Sequence, residues 1–350
     1  MAKIIFFRLL LNCLICRPMI LLTGATGFLG AHTCASLLQK GYAVRACRRE
    51  NSSLGEFESI FKYRFGEEWK KFADKVDWIE ADIHDYDKMA DAMEGLEAVF
   101  HIAAVVSFWP KRREELYYTN VEGTANMINV ALAKGVPWFI HASSIAAIGR
   151  DEKHPVITEE NEWINSELNS QYAISKNLAE REVWRGREEG LKASMVNPGV
   201  ILGEGDWNKG SCRLLKKVMT GMPYYTDGQN GYVDVLDVAE AMIRLYDKKI
   251  DGERVLLVGE NLSPKAFISQ AAEYFGQKPP YIRARPWMGE IAWRLVALLS
   301  FITGKEPLLT KETAKTGTHH FTYSSQKATD LLGIRFTPLS ETLRRVKRFI

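Results

Sequence analysis

Tyr172 and Lys176 stand four residues apart in Y-A-I-S-K, a spacing that puts both on one face of a helix. A phenol beside an ammonium can exchange a proton with a substrate oxygen, because the positive charge favours the phenolate and lowers the tyrosine pKa. Such a pair is common by chance and says little alone. Its place in the chain adds weight. Residues 137–142 have the composition of a buried strand, and they deliver Ser143 and Ser144 at its C-terminal end. In open parallel sheets that end is where ligands bind.

A second constellation lies near the start, in I-L-L-T-G-A-T-G-F-L-G from Ile20. The apolar run 19–22 predicts a buried parallel strand, broken by Thr23-Gly24 into a turn that opens a helix. Gly24 permits the turn, Gly27 lets a pyrophosphate approach backbone N–H groups, and Gly30 lets the helix pack closely on the strand. Glycine-rich turns also arise for steric reasons alone, but the strand before and the helix after are the context a dinucleotide site requires. Gly24, Thr26, Gly27, Phe28 and Leu29 are therefore candidate cofactor contacts.

The elements that must position these residues follow in order. Helix 31–40 ends at Gly41, and strand 42–47 leads to Arg48 and Arg49. Many dinucleotide folds hold the adenosine ribose with an acidic residue there. Two guanidinium groups would instead suit a 2′-phosphate, favouring NADP over NAD, unless Glu50 takes the ribose and both arginines are ordinary surface residues. A helical excursion over 57–75 precedes strand 76–80, after which Asp82 and Ile83 could meet an adenine edge or start a helix. Strand 98–103 leads into Ala103 and Ala104, small enough to let a cofactor lie against the backbone. Helix 120–134, strand 192–196, helix 211–220, a return to the core over 233–246 with Asp237 as a helix cap, and strand 254–258 complete the pattern.

Composition bounds the rest. A chain of 350 residues with 46% apolar and 25% charged residues is an ordinary soluble globular protein with room for two lobes. Its net charge of +3 offers no strong field for nucleic acid or a membrane, so no nucleic-acid partner is expected. Five scattered cysteines form no disulfide framework, which suits the cytoplasm, and the C-x-x-C of Cys13 and Cys16 has no second pair to complete a metal site. No metal is expected; His319 and His320, being adjacent, point apart. Residues 1–18 are apolar and basic but split by Arg8, and read as a dispensable extension or a start site placed too early, with a membrane-surface anchor as the lesser alternative. Residues 287–302 predict a helix apolar on most faces, read as a core or lid helix; a dimer contact or a membrane-surface contact is the lesser alternative.

Taken together, these pieces resemble the extended short-chain dehydrogenase/reductase (NAD-dependent epimerase/dehydratase) family over residues 19–350. The likeness rests on T-G-A-T-G-F-L-G from Thr23, H-I-A-A from His101, N-V-E-G-T from Asn120, S-S-I-A-A-I-G from Ser143, Y-A-I-S-K from Tyr172 and Y-V-D-V-L-D-V-A from Tyr232. The resemblance implies an α/β Rossmann fold, a doubly wound parallel sheet over 19–196 and 231–258, with a smaller, mostly helical C-terminal substrate lobe from 197–230 and 259–350. It implies a Ser-Tyr-Lys site: Tyr172 as acid/base, Lys176 on the nicotinamide ribose and tuning Tyr172, and Ser144 on the substrate carbonyl, with Ser143 as the alternative serine. Asn120 would brace a helix, and Pro198, Gly199 and Val200 would pass near the nicotinamide.

Within the family the chain is most similar to the dihydroflavonol 4-reductase-like and 3β-hydroxysteroid-dehydrogenase-like branch, through V-R-A-C-R-R from Val44, N-P-G-V-I-L-G-E-G-D from Asn197, G-E-N-L-S from Gly259, G-K-E-P-L-L-T from Gly304 and Y-S-S-Q-K-A from Tyr323. Sugar-nucleotide epimerases usually show an arginine where Asn197 stands. The resemblance thus implies an NADP-dependent oxidoreductase working by hydride transfer on the ketone, aldehyde or alcohol of a small, apolar substrate, as a monomer or homodimer. Two alternatives stay open: an NAD-dependent nucleotide-sugar epimerase or dehydratase with tightly held cofactor, and a non-catalytic NADP-sensing protein.

Overall fold

A computed structural model describes residues 18–150, 156–307, 309–317 and 319–350. The expected extension, with Cys13 and Cys16, lies outside the described residues apart from Pro18. Seven strands build the central sheet: β1 (Met19–Thr23), β2 (Ala43–Arg48), β3 (Val76–Glu80), β4 (Ala98–His101), β5 (Trp138–Ala142), β6 (Lys192–Pro198) and β7 (Arg254–Leu257). Their spatial order is 3-2-1-4-5-6-7, and every pairing is parallel. The chain winds outward from β1 to one edge, then crosses back to β4 and winds to the other. The crevice beyond the C-terminal ends of β1 and β4 is the topological switch point, where such sheets take their ligands.

Alternation along each strand sends side chains into two separate cores. From β1, Ile20 and Leu22 enter one core and Leu21 the other; from β4, Phe100 and Val99 divide in the same way. Helices Phe28–Gln39 and Val235–Asp247 cover the first face, and helices Gly123–Ala133 and Gln171–Glu188 cover the second. All five residues of β5 and all four of β4 are buried, which is why these segments are nearly all apolar rather than alternating, His141 and His101 being the polar exceptions. Beyond the main sheet, strands Val200–Leu202, Asn230–Asp234 and Glu260–Leu262 form a small mixed sheet. It borders a third core in which Tyr232 stacks on Phe267, 4.4 Å between centroids, near Leu215, Ile268, Leu343 and Val346.

Four local expectations change. The first helix starts at Phe28 rather than 31, with Gly27 as its N-cap. Strand β4 stops at His101, so Ala103 and Ala104 lie in the segment after it. Asp234, not Asp237, caps helix Val235–Asp247 by accepting from the Leu236 N–H at 2.8 Å, while Asp237 instead accepts from the Thr337 N–H (2.7 Å) and hydroxyl (2.9 Å). Helix Pro286–Thr303 is no core helix: Ser300 is its one buried residue.

Candidate active site

The site begins where β1 ends. Gly24 has φ +73°, and a Cβ there would sit 2.8 Å from the Ala103 nitrogen, so the position requires glycine twice over. A Cβ on Gly30 would meet the Gly24 carbonyl oxygen at 2.0 Å. Gly27 differs. Its Cβ would touch only the Gly24 oxygen at 3.5 Å, ordinary contact, so no packing within the protein demands a glycine there. No side chain caps this helix either, and the N–H groups of Phe28 and Leu29 belong to the first turn, which has no intrahelical acceptors. An uncapped helix N-terminus with open space over its N-cap fits an anionic group such as a pyrophosphate.

Thr23 ties this turn to β4. Its hydroxyl oxygen accepts from the N–H groups of Ile102 (3.0 Å) and Ala103 (3.1 Å), which leaves its own proton for His101 Nδ1 at 2.9 Å. His101 Nε2 then donates to Thr124 Oγ1 at 3.1 Å, and Thr124 donates to the Asn120 carbonyl at 2.6 Å. Burial keeps His101 neutral, its pKa pushed down to about 3, with the Lys176 charge acting in the same direction. Asn120 lies in a π-helical turn, Tyr117–Glu122. Its side chain closes on Val105 from both sides, accepting from the N–H at 2.7 Å and donating to the carbonyl at 2.9 Å, and also donates to Ser175 Oγ at 3.0 Å. Asn120 thus braces the segment after β4 against the helix that carries Tyr172.

The remaining predicted cofactor contacts fall around the same crevice. Arg48, half-buried at the end of β2, has its guanidinium 6.0 Å from the Trp78 ring, and Arg49 is exposed; neither enters an ion pair among the described residues. Asp82 accepts from the His84 N–H at 3.0 Å, a local turn, and the Ile83 carbonyl accepts from Asn126 at 2.6 Å. Thr26 and Ala103 are half-buried and Ala104 is exposed. Gly199 follows β6, and its N–H is already given to the Leu257 carbonyl at 2.9 Å. A Cβ at Gly199 would lie 2.4 Å from the Gly231 oxygen, so this glycine answers to packing between strands; Pro198 is buried and Val200 half-buried.

Helix Gln171–Glu188, capped by Ser170 through the Ala173 N–H at 3.0 Å, carries the tyrosine and lysine. The Ser144 hydroxyl acts on the Tyr172 phenol and Ser143 does not, so of the two serines Ser144 is the one turned toward it. Burial holds the phenol above its ordinary range, and the Ser144 hydroxyl pulls the other way. This departs from the expectation that Lys176 tunes the phenol directly. Lys176 Nζ instead donates to the Ala142 carbonyl at 2.8 Å and faces His141 Nε2 at 3.4 Å, turned under the end of β5. Desolvation lowers its pKa to about 8, and the negative charge of Glu180 opposes that fall.

Glu180 is the residue that sequence reasoning missed. It lies four residues beyond Lys176 on the same helix face and is 2% exposed. Its carboxylate accepts from Ser143 Oγ (2.5 Å) and Asn197 Nδ2 (2.5 Å), and pairs with Arg254 at 3.3 Å. Asn197 Nδ2 also donates to the Ser144 carbonyl at 2.9 Å. Ser143 is thereby committed to a buried scaffold beneath the site, and Ser144 is left to line it. The signal was available as Y-x-x-x-K-x-x-x-E, a third polar residue at helical spacing. At the mouth, Phe108 meets Tyr172 edge-on with centroids 5.7 Å apart, beside the exposed Val106.

Comparison with known proteins agrees with this architecture. The family model described as NAD dependent epimerase/dehydratase matches residues 20–259. A "Putative dihydroflavonol 4-reductase" of Synechocystis sp. is 28% identical over 328 residues, 92% of this chain and 91% of that protein. The sterol demethylase protein B of Methylococcus capsulatus is 30% identical over 270 residues, 76% of this chain and 77% of that one. Among solved structures, that of gox2253 superposes with a TM-score of 0.77 at 28% identity, covering 95% of this chain and 97% of the other.

Proposed function

The chain belongs to the NAD dependent epimerase/dehydratase family, and from that premise we propose that it is an NADP-dependent oxidoreductase acting on a carbonyl or alcohol group of a small, apolar substrate. One observation carries the reading: Ser144 stands at the end of β5 with its hydroxyl acting on the Tyr172 phenol, across the switch point from a glycine turn that no side chain caps. The residues that would hold the cofactor are Gly24, Thr26, Gly27, Phe28 and Leu29 at the pyrophosphate, with Arg48 and Arg49 on the 2′-phosphate. The nicotinamide supplies or accepts the hydride. In reduction, Tyr172 gives its hydroxyl proton to the carbonyl oxygen while Ser144 donates a hydrogen bond to that same oxygen and fixes its place. Lys176, 1% exposed and one helical turn away, would hold the nicotinamide ribose through its ammonium. Oxidation of the alcohol runs the same transfers backwards. Phe108 against Tyr172 supports an apolar substrate.

The test is a fluorescence titration with NADPH and NADH. A preference for NADPH is expected, and replacing both Arg48 and Arg49 by Ala should weaken NADPH by about tenfold to a hundredfold, the worth of one or two charge-assisted hydrogen bonds, while leaving NADH nearly unchanged. A wild-type preference for NADH, or NAD retained through purification, would sink the 2′-phosphate assignment.

Glu180 should act through Lys176. With Lys176 titrating at about 8, activity that depends on its ammonium falls as pH rises through that value. Glu180→Gln removes the anion that favours the ammonium, so the alkaline fall moves to lower pH. A pH profile of kcat/KM that does not move in the variant would show that Glu180 is only a structural brace.

A further inference from the structure

Helix Pro286–Thr303 is seated the wrong way round for a soluble protein. Met288, Ala292 and Val296 are half-buried and Ser300 is buried, on the side that meets helix Lys311–Thr316. Trp287, Ile291, Leu295, Leu298, Leu299 and Ile302 recur at helical spacing along the flank beside it, each between 51% and 71% exposed. Phe301, 74% exposed, adds to that surface. A contiguous stripe of large apolar side chains turned to solvent marks a contact surface rather than ordinary scattered exposure.

Charge around the stripe identifies the occupant. Residues 281–311 contain five cations, Arg283, Arg285, Arg294, Lys305 and Lys311, against two carboxylates, Glu290 and Glu306. Arg294 is paired with Glu290 at 2.6 Å, Arg283 with Asp227 at 2.6 Å and Glu306 with Arg112 at 3.2 Å, which leaves Arg285, Lys305 and Lys311 outside any ion pair among the described residues. Lys111 lies 5.3 Å from the Phe301 ring, adding another positive charge at the rim. Two copies of the chain joined through this helix would bring two basic rims together; anionic lipid headgroups would neutralise one. The helix carries an internal ion pair, and no described helix is long and apolar enough to cross a membrane, so the geometry is that of a helix lying in the interface plane.

We propose that helix Pro286–Thr303 docks the protein onto an anionic bilayer surface, with its apolar stripe among the acyl chains and its basic rim on the headgroups. The docked face adjoins the site. Glu306, just past the helix, accepts from Ser107 Oγ at 2.5 Å, and the next residue is Phe108, edge-on to Tyr172. Docking does not depend on the carbonyl reading, but it would place the mouth of that site beside dissolved apolar molecules.

The test is flotation of the full chain with vesicles of phosphatidylcholine alone or mixed with phosphatidylglycerol. Wild type should float with the mixed vesicles, less with phosphatidylcholine, and less again at high salt. Leu295→Glu/Leu299→Glu, at two exposed positions, should keep its melting temperature and lose more than about tenfold in partitioning. Three results would overturn the proposal. Wild type could stay in solution with mixed vesicles. The variant could float as well as wild type, which would assign the contact to the apolar residues within 4–15. Or wild type could elute as a dimer that the variant breaks, without flotation, which would make a second copy the occupant.

Discussion

Tyr172→Phe should slow turnover by about a hundredfold to ten-thousandfold, the usual worth of a positioned general acid, while NADPH binds as it does to wild type. Tyr172 is 9% exposed, faces Ser144, and is set by a helix whose N-terminus is capped through Ser170. Phenylalanine fills the same space and keeps the edge contact with Phe108, so the variant removes one proton donor and little else. Parallel measurement of kcat and of cofactor affinity separates the two roles. Retained turnover would move the acid/base assignment elsewhere and would revive the reading of a protein that binds a nicotinamide cofactor for another purpose. Loss of turnover together with cofactor binding would mean that the tyrosine serves the fold of the site.

Arg345→Met should cost about 3–5 kcal/mol of stability, the usual result of stripping one partner from a buried ion pair. Arg345 joins three parts of the chain. From the C-terminal helix Leu339–Phe349 its guanidinium reaches Glu204 at 2.8 Å and Asp234 at 2.5 Å, carboxylates that are 1% and 2% exposed. Asp234 has two further duties, as the cap of helix Val235–Asp247 and as acceptor from Thr342 Oγ1 at 2.6 Å. Methionine conserves much of the stem volume but strips the two buried carboxylates of the guanidinium they pair with, leaving only the more distant charge of Arg64. Urea denaturation is the measurement, with the exposed Arg335→Met as a control expected to change stability by less than about 0.5 kcal/mol. Equal effects of the two substitutions would show that the Arg345 network contributes nothing beyond surface charge.

The sheet was legible because its central strands are buried on both sides. Runs such as W-F-I-H-A and A-V-F-H admit few polar residues, and the breaks between them carry glycine or charge. Tyr172, Lys176 and Ser144 were legible for the same kind of reason, since helical spacing and a strand end fix which residues share a corner. Orientation was not legible. Nothing in Y-A-I-S-K says that the lysine turns toward the Ala142 carbonyl; that follows from what the end of β5 offers it. Asp234 and Asp237 are three residues apart at a helix start, and either could cap it; only the approach of Thr337, a hundred residues later in the chain, decides between them. The stripe of helix Pro286–Thr303 misled for a different reason. Periodicity locates an apolar face but not the direction it points.

The strand order has a consequence for how the protein is made. Among the described strands β1 leaves the ribosome first, yet it ends at the middle of the sheet, between β2 and β4. β2 follows closely, but Thr23 pairs with His101, 78 residues further on. At ordinary synthesis rates that is roughly 4–16 s during which one edge of I-L-L-T has no partner. An unpaired apolar edge is a template for pairing with another chain, so the nascent protein passes through its most aggregation-prone interval before half of its sheet exists. A slowed ribosome anywhere between β2 and β4 lengthens that interval, whereas one slowed after β4 leaves β1 already shielded on both edges.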